Sequence, residues 1–164
     1  MLGFSRELAG QPVFRWLLAL ALTGTSPAPG GRLAEKIIAV AQAKTLAYQH
    51  AGSIGWLAAF INGILCNWMV TLGVVLGLIS TSTIGKIIAA WLPIMTFFAL
   101  GFEHCVVNMF VIPTAILLGA DISVYQWWFW NQVPVTLGNL IGGSIFTGML
   151  LYATYGRMNK HVRF

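Results

Sequence analysis

The sequence predicts an all-α membrane protein, on the evidence of its composition and of two long stretches without charge. Hydrophobic residues make up 58% of the chain and charged residues 8%, and the mean hydropathy is +0.81, far from the averages of soluble domains. No Asp, Glu, Lys or Arg lies between Lys44 and Lys86 or between Ile122 and Gly156. Each stretch exceeds the roughly 20 apolar residues that a bilayer-spanning helix needs. We therefore expect a multi-pass protein surrounded by lipid.

The remaining composition argues against several other classes of protein. The net charge is +5, but the nine basic residues are spread singly along the chain, so nucleic acid is not an expected partner. Cys66 and Cys105 lie in apolar segments without the spacing of a metal site or a disulfide framework. We expect no metal and no cofactor. No nucleophile–base pairing supports an enzyme.

The first half of the chain divides into three parts. Residues 1–32 have no clear assignment, because their apolar stretch Val13–Leu22 is too short to span a bilayer. That stretch fits a signal peptide loosely, or the remainder of a longer segment. Residues 33–50 have mixed polarity, which predicts a helix at a membrane surface or vestibule. The first full span is predicted at about 54–79.

The segment 87–120 is too long for one membrane helix. As a continuous helix it would extend about 51 Å at 1.5 Å per residue, whereas the hydrocarbon core is about 30 Å thick. Gly101, Glu103, His104 and Asn108 divide it into two apolar halves. We therefore expect a helix broken at membrane depth. Such backbone is tolerated only where it is buried in protein or lines a cavity, so the break points to a pathway.

The last part of the chain sets the expected orientation. The stretch Asp121–Pro134 is interpreted as an interfacial loop, because it concentrates aromatic residues. A final span is predicted at about 135–155, followed by a basic tail, 157–164. The positive-inside rule puts this tail and Lys86 in the cytoplasm and the tryptophan-rich stretch outside. The expected location is the plasma (inner) membrane.

Glycines spaced four residues apart predict faces for close helix packing. Two such pairs occur, Gly73 with Gly77 and Gly138 with Gly142. Small residues at this spacing let two membrane helices approach closely.

The ionisable residues of the broken segment are the main candidates for chemistry. A charged side chain at the centre of a membrane helix costs about 2.5–3.5 kcal/mol and usually faces a cavity. We assign the pore to His104, because imidazole exchanges a proton near neutral pH and can act as a gate or relay for a weak-acid anion. The alternative is a neutral histidine bonded within the bundle. Glu103 is expected to support the fold, and Asn108 to hold either the histidine or the broken backbone.

Lys44 is the second candidate, because it precedes the first full span on the predicted outer side. A cation in a vestibule attracts anions by focusing the local field. The alternative is a solvated lysine whose aliphatic stem covers apolar surface.

Three ordered motifs resemble those of the formate/nitrite transporter family. Gly63–Trp68, preceded by Lys44, is similar to the signature of the family's fourth helix, and we expect Asn67 within it to support the pore. Gly101–Phe110 resembles the fifth-helix signature, and Pro134–Gly143 the start of the sixth.

The resemblance implies a fold and a function. Family members are pentamers in which each subunit has its own pore, built from two inverted three-helix repeats with an aquaporin-like outline. Residues 33–156 would be the second repeat, with its middle helix broken. His104 would match the family's central histidine, Lys44 its vestibule lysine, and Val70 and Phe97 its pore constrictions. The implied substrates are small monovalent anions such as formate, nitrite, hydrosulfide, acetate or lactate, passed by a channel-like or proton-coupled mode.

The resemblance also raises an alternative. No segment of the chain is similar to the family's first three helices, so half of the pore wall has no counterpart here. The chain would then be a fragment, a shortened form, or a subunit that needs a complementary partner. In the alternative reading it is a truncated, non-transporting structural subunit.

Overall fold

The regular structure is entirely helical in residues 31–155, which the computed structural model describes. The first four helices are α1 (Gly31–His50), α2 (Gly52–Ile79), α3 (Thr83–Ala99) and α4 (Cys105–Leu117). They are followed by α5 (Val124–Trp127), the π-helical segment Trp128–Gln132, α6 (Val133–Ile141), the π-helical segment Gly142–Met149 and α7 (Leu150–Tyr155). These last five follow one another without a gap, and we call them the C-terminal helical run. The predicted all-α fold is confirmed. Most of the segment 1–32 and the tail 157–164 lie outside the described residues.

Two helices are long and apolar enough to cross a membrane. They are Gly52–Ile79 and Val124–Thr154, while α3 and α4 are apolar but shorter. Many large apolar side chains on these helices are exposed, with Ile54 at 76% and Leu78 at 80%. A protein surrounded by water rarely shows so much contiguous apolar surface. The exposed faces therefore fit lipid or further protein as their surroundings.

The C-terminal helical run begins earlier than the predicted span. The stretch Asp121–Pro134 is a loop only as far as Ser123, and its tryptophans lie on the helix. Ser123 and Gln126 form a capping box, in which each side chain binds the other residue's backbone N–H (3.1 and 2.8 Å). Pro134 does not end the helix, because the π-helical turn before it changes the hydrogen-bonding register. The interpretation as a loop was wrong, because aromatic residues at the interface can lie on a helix as well as in a loop.

Glycines bring α2 and the C-terminal helical run into backbone contact. A Cβ on Gly63 would lie 2.8 Å from the carbonyl oxygen of Val135, and one on Gly138 would meet the carbonyl oxygen of Phe60. Gly142 approaches α2 in the same way. The predicted close packing of Gly138 and Gly142 is therefore confirmed.

The other glycine pair is only half packed. Gly73 approaches α3, because a Cβ there would lie 3.0 Å from both the carbonyl oxygen of Ala89 and Cγ of Pro93. Gly77 has no described atom within 4 Å of such a Cβ. Gly77 therefore makes no close helix contact within residues 31–155, and its close packing stays a prediction.

A second contact holds α1 against α4. Buried side chains from both helices, and from the turn after α4, form one apolar cluster: Ala41, Ile112, Ala115, Ala120 and Ile122. This packing places the later residues of α1 beside the start of α4. The break between α3 and α4 is thereby enclosed by α1, α2 and the C-terminal helical run.

Candidate functional site

The site is built around a break in the helix at Leu100–His104, within the predicted segment 87–120. α3 ends in a Schellman arrangement: the N–H of Gly101 donates to the carbonyl of Phe98 (3.1 Å), and that of Phe102 to the carbonyl of Phe97 (3.0 Å). Gly101 has φ +69°, a conformation that glycine adopts without a Cβ clash. His104 has extended dihedral angles, φ −113° and ψ 118°, just before α4 begins. The chain thus ends one helix, crosses a short extended stretch and starts another.

Glu103 is the centre of a buried polar network. Its side chain is 2% exposed, and its Oε2 lies 2.9 Å from Nζ of Lys44. The hydroxyl of Tyr48 donates to Oε1 (2.9 Å), and the amide nitrogen of Asn108 donates to Oε2 (2.7 Å). The amide nitrogen of Asn131 also donates to Oε2 (3.3 Å). Three neutral donors and one cation therefore surround the carboxylate.

This arrangement explains how a carboxylate is tolerated in such an apolar bundle. An isolated buried charge is strongly disfavoured, whereas a paired and fully hydrogen-bonded one is accepted. Tyr48 lies on α1, outside the two candidate spans, and burial together with the charge of Glu103 raises its pKa above the usual range. The phenol therefore stays protonated and acts as a donor to the carboxylate. Structural support by Glu103, expected from the sequence, agrees with these contacts and remains a prediction.

Asn131 and Tyr48 are members of the network that the sequence analysis did not identify. Asn131 donates to the backbone carbonyl of Lys44 (2.9 Å), and its side-chain oxygen accepts a hydrogen bond from Asn108 (2.9 Å). It lies in the first π-helical segment, where both Asn131 and its neighbour Gln132 are buried. Two consecutive amides in a strongly apolar stretch are the one sequence signal that could have indicated them.

His104 lies beside an aromatic ring and apart from this network. Its imidazole stacks on the ring of Phe97, with centroids 6.0 Å apart and an interplanar angle of 27°. Its Nδ1 is buried and has no hydrogen-bond partner among residues 31–155. Within the same residues, Asn108 makes no side-chain bond to this imidazole, and its own Oδ1 is likewise buried and unpartnered. Asn108 therefore binds the carboxylate of Glu103 and not the histidine.

A cleft of about 500 Å³ brings five of the seven candidate residues together. Its polar lining consists of Lys44, Tyr48, Glu103, His104 and Asn108, and its apolar lining includes Phe97, Phe98, Phe102 and Val107. Val70 and Asn67 do not line it. Val70 is partly exposed on α2, and the amide of Asn67 donates to the backbone carbonyl of Asn139 (2.7 Å). No group of three potential metal ligands lies together between Gly31 and Tyr155.

The chain is similar to proteins that move small anions. Residues 3–153 match the family described as formate/nitrite transporter, and this range includes most of the unassigned segment 1–32. A probable formate transporter of Methanothermobacter thermautotrophicus is 48% identical over 103 residues, which are 63% of this chain and 37% of that protein. The formate channel FocA of Haemophilus influenzae is 35% identical over 145 residues, covering 77% of this chain and 49% of the channel.

The fold also has a close counterpart among solved structures. A pentameric formate channel with formate bound superposes with a TM-score of 0.69 at 29% identity, covering 90% of this chain and 62% of that one. The chain spans about half the length, or less, of the curated relatives given above. These relatives are channels and transporters and not enzymes. The chain therefore belongs to the formate/nitrite transporter family of membrane proteins.

Proposed function

We propose that the protein passes small monovalent anions, formate or nitrite, across the membrane, with His104 as the proton-sharing group of the pathway. One observation carries this proposal: an imidazole at a helix break lines a largely apolar cleft, and its Nδ1 has no partner among the described residues. The names of the relatives, a formate transporter and formate channels, support the choice of substrate.

The chemistry follows from the cost of removing an anion from water. A formate or nitrite ion entering an apolar constriction loses its hydration, which is expensive unless a donor replaces it. A neutral imidazole N–H donates a hydrogen bond to the anion and replaces part of its lost hydration. An imidazolium can instead give its proton to the anion, so that the neutral acid crosses. This accounts for channel-like passage as well as for proton-coupled transport.

Lys44 is proposed to attract the anion into the cleft. Its Nζ is 2.9 Å from Glu103 and its side chain is 19% exposed. The ammonium group therefore still faces the cleft and has N–H donors that the ion pair does not use. The ion pair cancels much of its long-range field. Its attraction therefore acts at short range, on an anion that has already entered the vestibule.

The apolar side chains near His104 are proposed to restrict the pathway. Phe97 is 4% exposed and stacks on the imidazole, so an anion that reaches His104 passes its ring. Val70, the other proposed constriction, is on α2 outside the cleft. It is proposed to narrow the pathway at a different level.

The assembly and location are proposed from the family. The relative of known structure is a pentamer, and we propose the same homo-oligomer for this protein. We place it in the plasma (inner) membrane with its C-terminus in the cytoplasm, as the basic tail 157–164 indicates. The finer assignment to the second of two inverted repeats belongs to the same proposal.

Anion flux in proteoliposomes tests the function. Wild-type protein is expected to pass formate with a rate that depends on pH between about 5 and 8, where imidazole titrates. His104→Ala is expected to lose this pH dependence, and His50→Ala is the matched control because His50 is exposed at the end of α1. Unchanged rate and pH dependence in His104→Ala would contradict the gate. No flux in the wild type would instead favour the alternative, a non-transporting structural subunit.

A further inference from the structure

Asn139, on α6, faces the helix break and uses its whole side-chain amide in hydrogen bonds. The residue is 4% exposed. Its Nδ2 donates to the carbonyl of Glu103 (2.9 Å) and to the carbonyl of Gly63 (2.8 Å). Its Oδ1 accepts from the backbone N–H of Cys105 (3.0 Å). One amide thus satisfies three backbone groups, which belong to α2, to the helix break and to the first residue of α4.

Two of these bonds flank His104. The carbonyl of Glu103 belongs to the peptide group before the Cα of His104, and the N–H of Cys105 belongs to the peptide group after it. With both peptide groups bound to one rigid amide, φ and ψ of His104 are held near −113° and 118°. A residue in a strand is held in a similar way by its neighbour in a parallel sheet. Here a single side chain takes the place of the neighbouring strand.

The third bond and the packing around it fix Asn139 itself. The carbonyl of Gly63 belongs to α2 at the point where α2 and the C-terminal helical run are in backbone contact. The amide of Asn67 donates to the backbone carbonyl of Asn139 (2.7 Å). Asn139 is therefore tied to α2 through both its side chain and its backbone. The helix break is attached to the close backbone contact between α2 and the C-terminal helical run.

Asn139 is independent of the network around the carboxylate of Glu103. It contacts the backbone on either side of His104, whereas Lys44, Tyr48, Asn108 and Asn131 contact the Glu103 side chain. Loss of the Asn139 amide would remove none of those contacts directly. Its effect would fall on the backbone of the break.

We propose that Asn139 is a positioning residue, which holds the backbone of His104 so that the imidazole stays against Phe97 in the cleft. This rests on the proposed function of His104. Without the amide, the carbonyl of Glu103 and the N–H of Cys105 lose their partner in an apolar environment, where unsatisfied backbone groups are costly. The break then populates other conformations, and the imidazole leaves its place.

The test compares Asn139→Ala with Thr147→Val in protein reconstituted in lipid. Thr147 lies on the same helical run and bonds to Thr71 of α2 (2.6 Å). Its substitution therefore removes a polar contact from the same interface without touching the break. The first measurement is the rate at which diethyl pyrocarbonate modifies His104, read by peptide mass spectrometry, with exposed His50 as internal reference. The second is the pH dependence of formate flux.

For Asn139→Ala we expect His104 to be modified at least about tenfold faster relative to His50, because tenfold is already the effect of losing one buried hydrogen bond and the variant loses three. The pH profile of flux is expected to shift, and Thr147→Val is expected to match the wild type. Unchanged modification and pH profile in assembled Asn139→Ala protein would overturn the proposal. An equal change in Thr147→Val would also overturn it, because general loosening of the interface would then explain the result.

Two further outcomes, a variant that does not assemble and a wild type without flux, have distinct interpretations. If Asn139→Ala does not assemble, Asn139→Asp decides, because its carboxylate keeps the acceptor for Cys105 and loses the donors for Glu103 and Gly63. Faster modification of His104 in this variant supports positioning, and an unchanged rate contradicts it. If the wild type passes no formate while Asn139→Ala exposes His104, the proposed function fails and the positioning role stands.

Discussion

Lys44 and Glu103 form an ion pair with 2.9 Å between Nζ and Oε2, although one lies on α1 and the other in the helix break. The carboxylate is buried and the ammonium group is near the cleft. The pair therefore links the residue proposed to attract anions to the backbone that carries the residue proposed to share a proton. Its strength bears on both the fold and the function.

Removing both partners of this pair is expected to cost less stability than the two single substitutions added together. Lys44→Met leaves the carboxylate of Glu103 buried without its cation, which costs about 3–5 kcal/mol of unfolding free energy. Glu103→Gln leaves the ammonium group without its anion. In the double variant neither charge is stranded, so its loss of stability should be smaller than the sum of the two single losses. Thermal unfolding in detergent measures all three.

Lys36→Met serves as the control, because Lys36 is an exposed lysine on the same helix. It should leave the unfolding midpoint within about 1–2 °C of the wild type, as surface substitutions change stability little. Additive losses in the double variant would mean that the two side chains do not interact in the membrane-embedded protein.

Tyr48 gives the fold a sensitivity to alkali. Its pKa is raised because burial and the charge of Glu103 disfavour the phenolate, so the folded state binds the phenolic proton more tightly than the unfolded chain does. The resulting stabilisation is complete below the unfolded pKa of about 10 and is lost as pH rises above it. Tyr48→Phe removes a hydrogen-bond donor to the carboxylate of Glu103, so it should be less stable than the wild type at neutral pH. Because it has no phenol to titrate, it should also show a weaker decline above pH 10.

The decline is measured as the thermal midpoint between about pH 8 and 11. Tyr125→Phe is the control, because Tyr125 is exposed and its hydroxyl does not bind Glu103 in the described part of the chain. A decline in Tyr48→Phe as steep as in the wild type would show that another group is responsible.

The break could be predicted from the sequence because it follows from length alone. A segment too long for the bilayer, with Glu103 and His104 at its centre, can be accommodated by breaking the helix at those residues. The partners of those residues could not be predicted in the same way. Tyr48 and Asn131 reach Glu103 only because α1 and the C-terminal helical run pack on either side of it. No local pattern encodes that packing.

The start of the C-terminal helical run was missed for a related reason. Pro134 and the aromatic residues before it indicate a loop when each is taken by itself. A π-helical turn removes the conflict between proline and helix, and it turns Asn131 and Gln132 inward together. Such a turn has no distinct sequence signature, because it depends on the tertiary contacts that satisfy it.

Gly101→Ala is expected to destabilise the backbone conformation of the helix break, although the new methyl group would clash with no described atom. A Cβ at this position would have no described atom within 4 Å, but the residue has φ +69°. A residue with a Cβ pays about 1–2 kcal/mol in this conformation. The unfolding midpoint should fall by several degrees, and the pH profile of flux should change, because the backbone leading to His104 begins at Gly101.

Gly77→Ala is the matched control, since Gly77 also has open space around its Cβ position but lies within α2. Alanine is favoured over glycine in a helix by about 0.5–1 kcal/mol, so this variant should be as stable as the wild type or more so. Equal stability of the two variants would argue against a left-handed conformation at Gly101.

Gly138→Ala is expected to separate α2 from the C-terminal helical run. The new methyl group would meet the carbonyl oxygen of Phe60 and lie 3.0 Å from the backbone nitrogen of Ile64. Backbone atoms cannot move aside as a flexible side chain does, so the helices themselves must shift, at a cost of about 1–3 kcal/mol or more. Because Asn139 is the next residue, the shift should also move the amide that holds His104. The variant should therefore lose both thermal stability and protection of His104 from diethyl pyrocarbonate.

Gly148→Ala is the control for this prediction. Its Cβ would lie 3.6 Å from the carbonyl oxygen of Gly143, an ordinary contact distance, so it should lose neither stability nor protection of His104. Protection of His104 that survives a clear loss of stability in Gly138→Ala would show that the break does not depend on this helix contact.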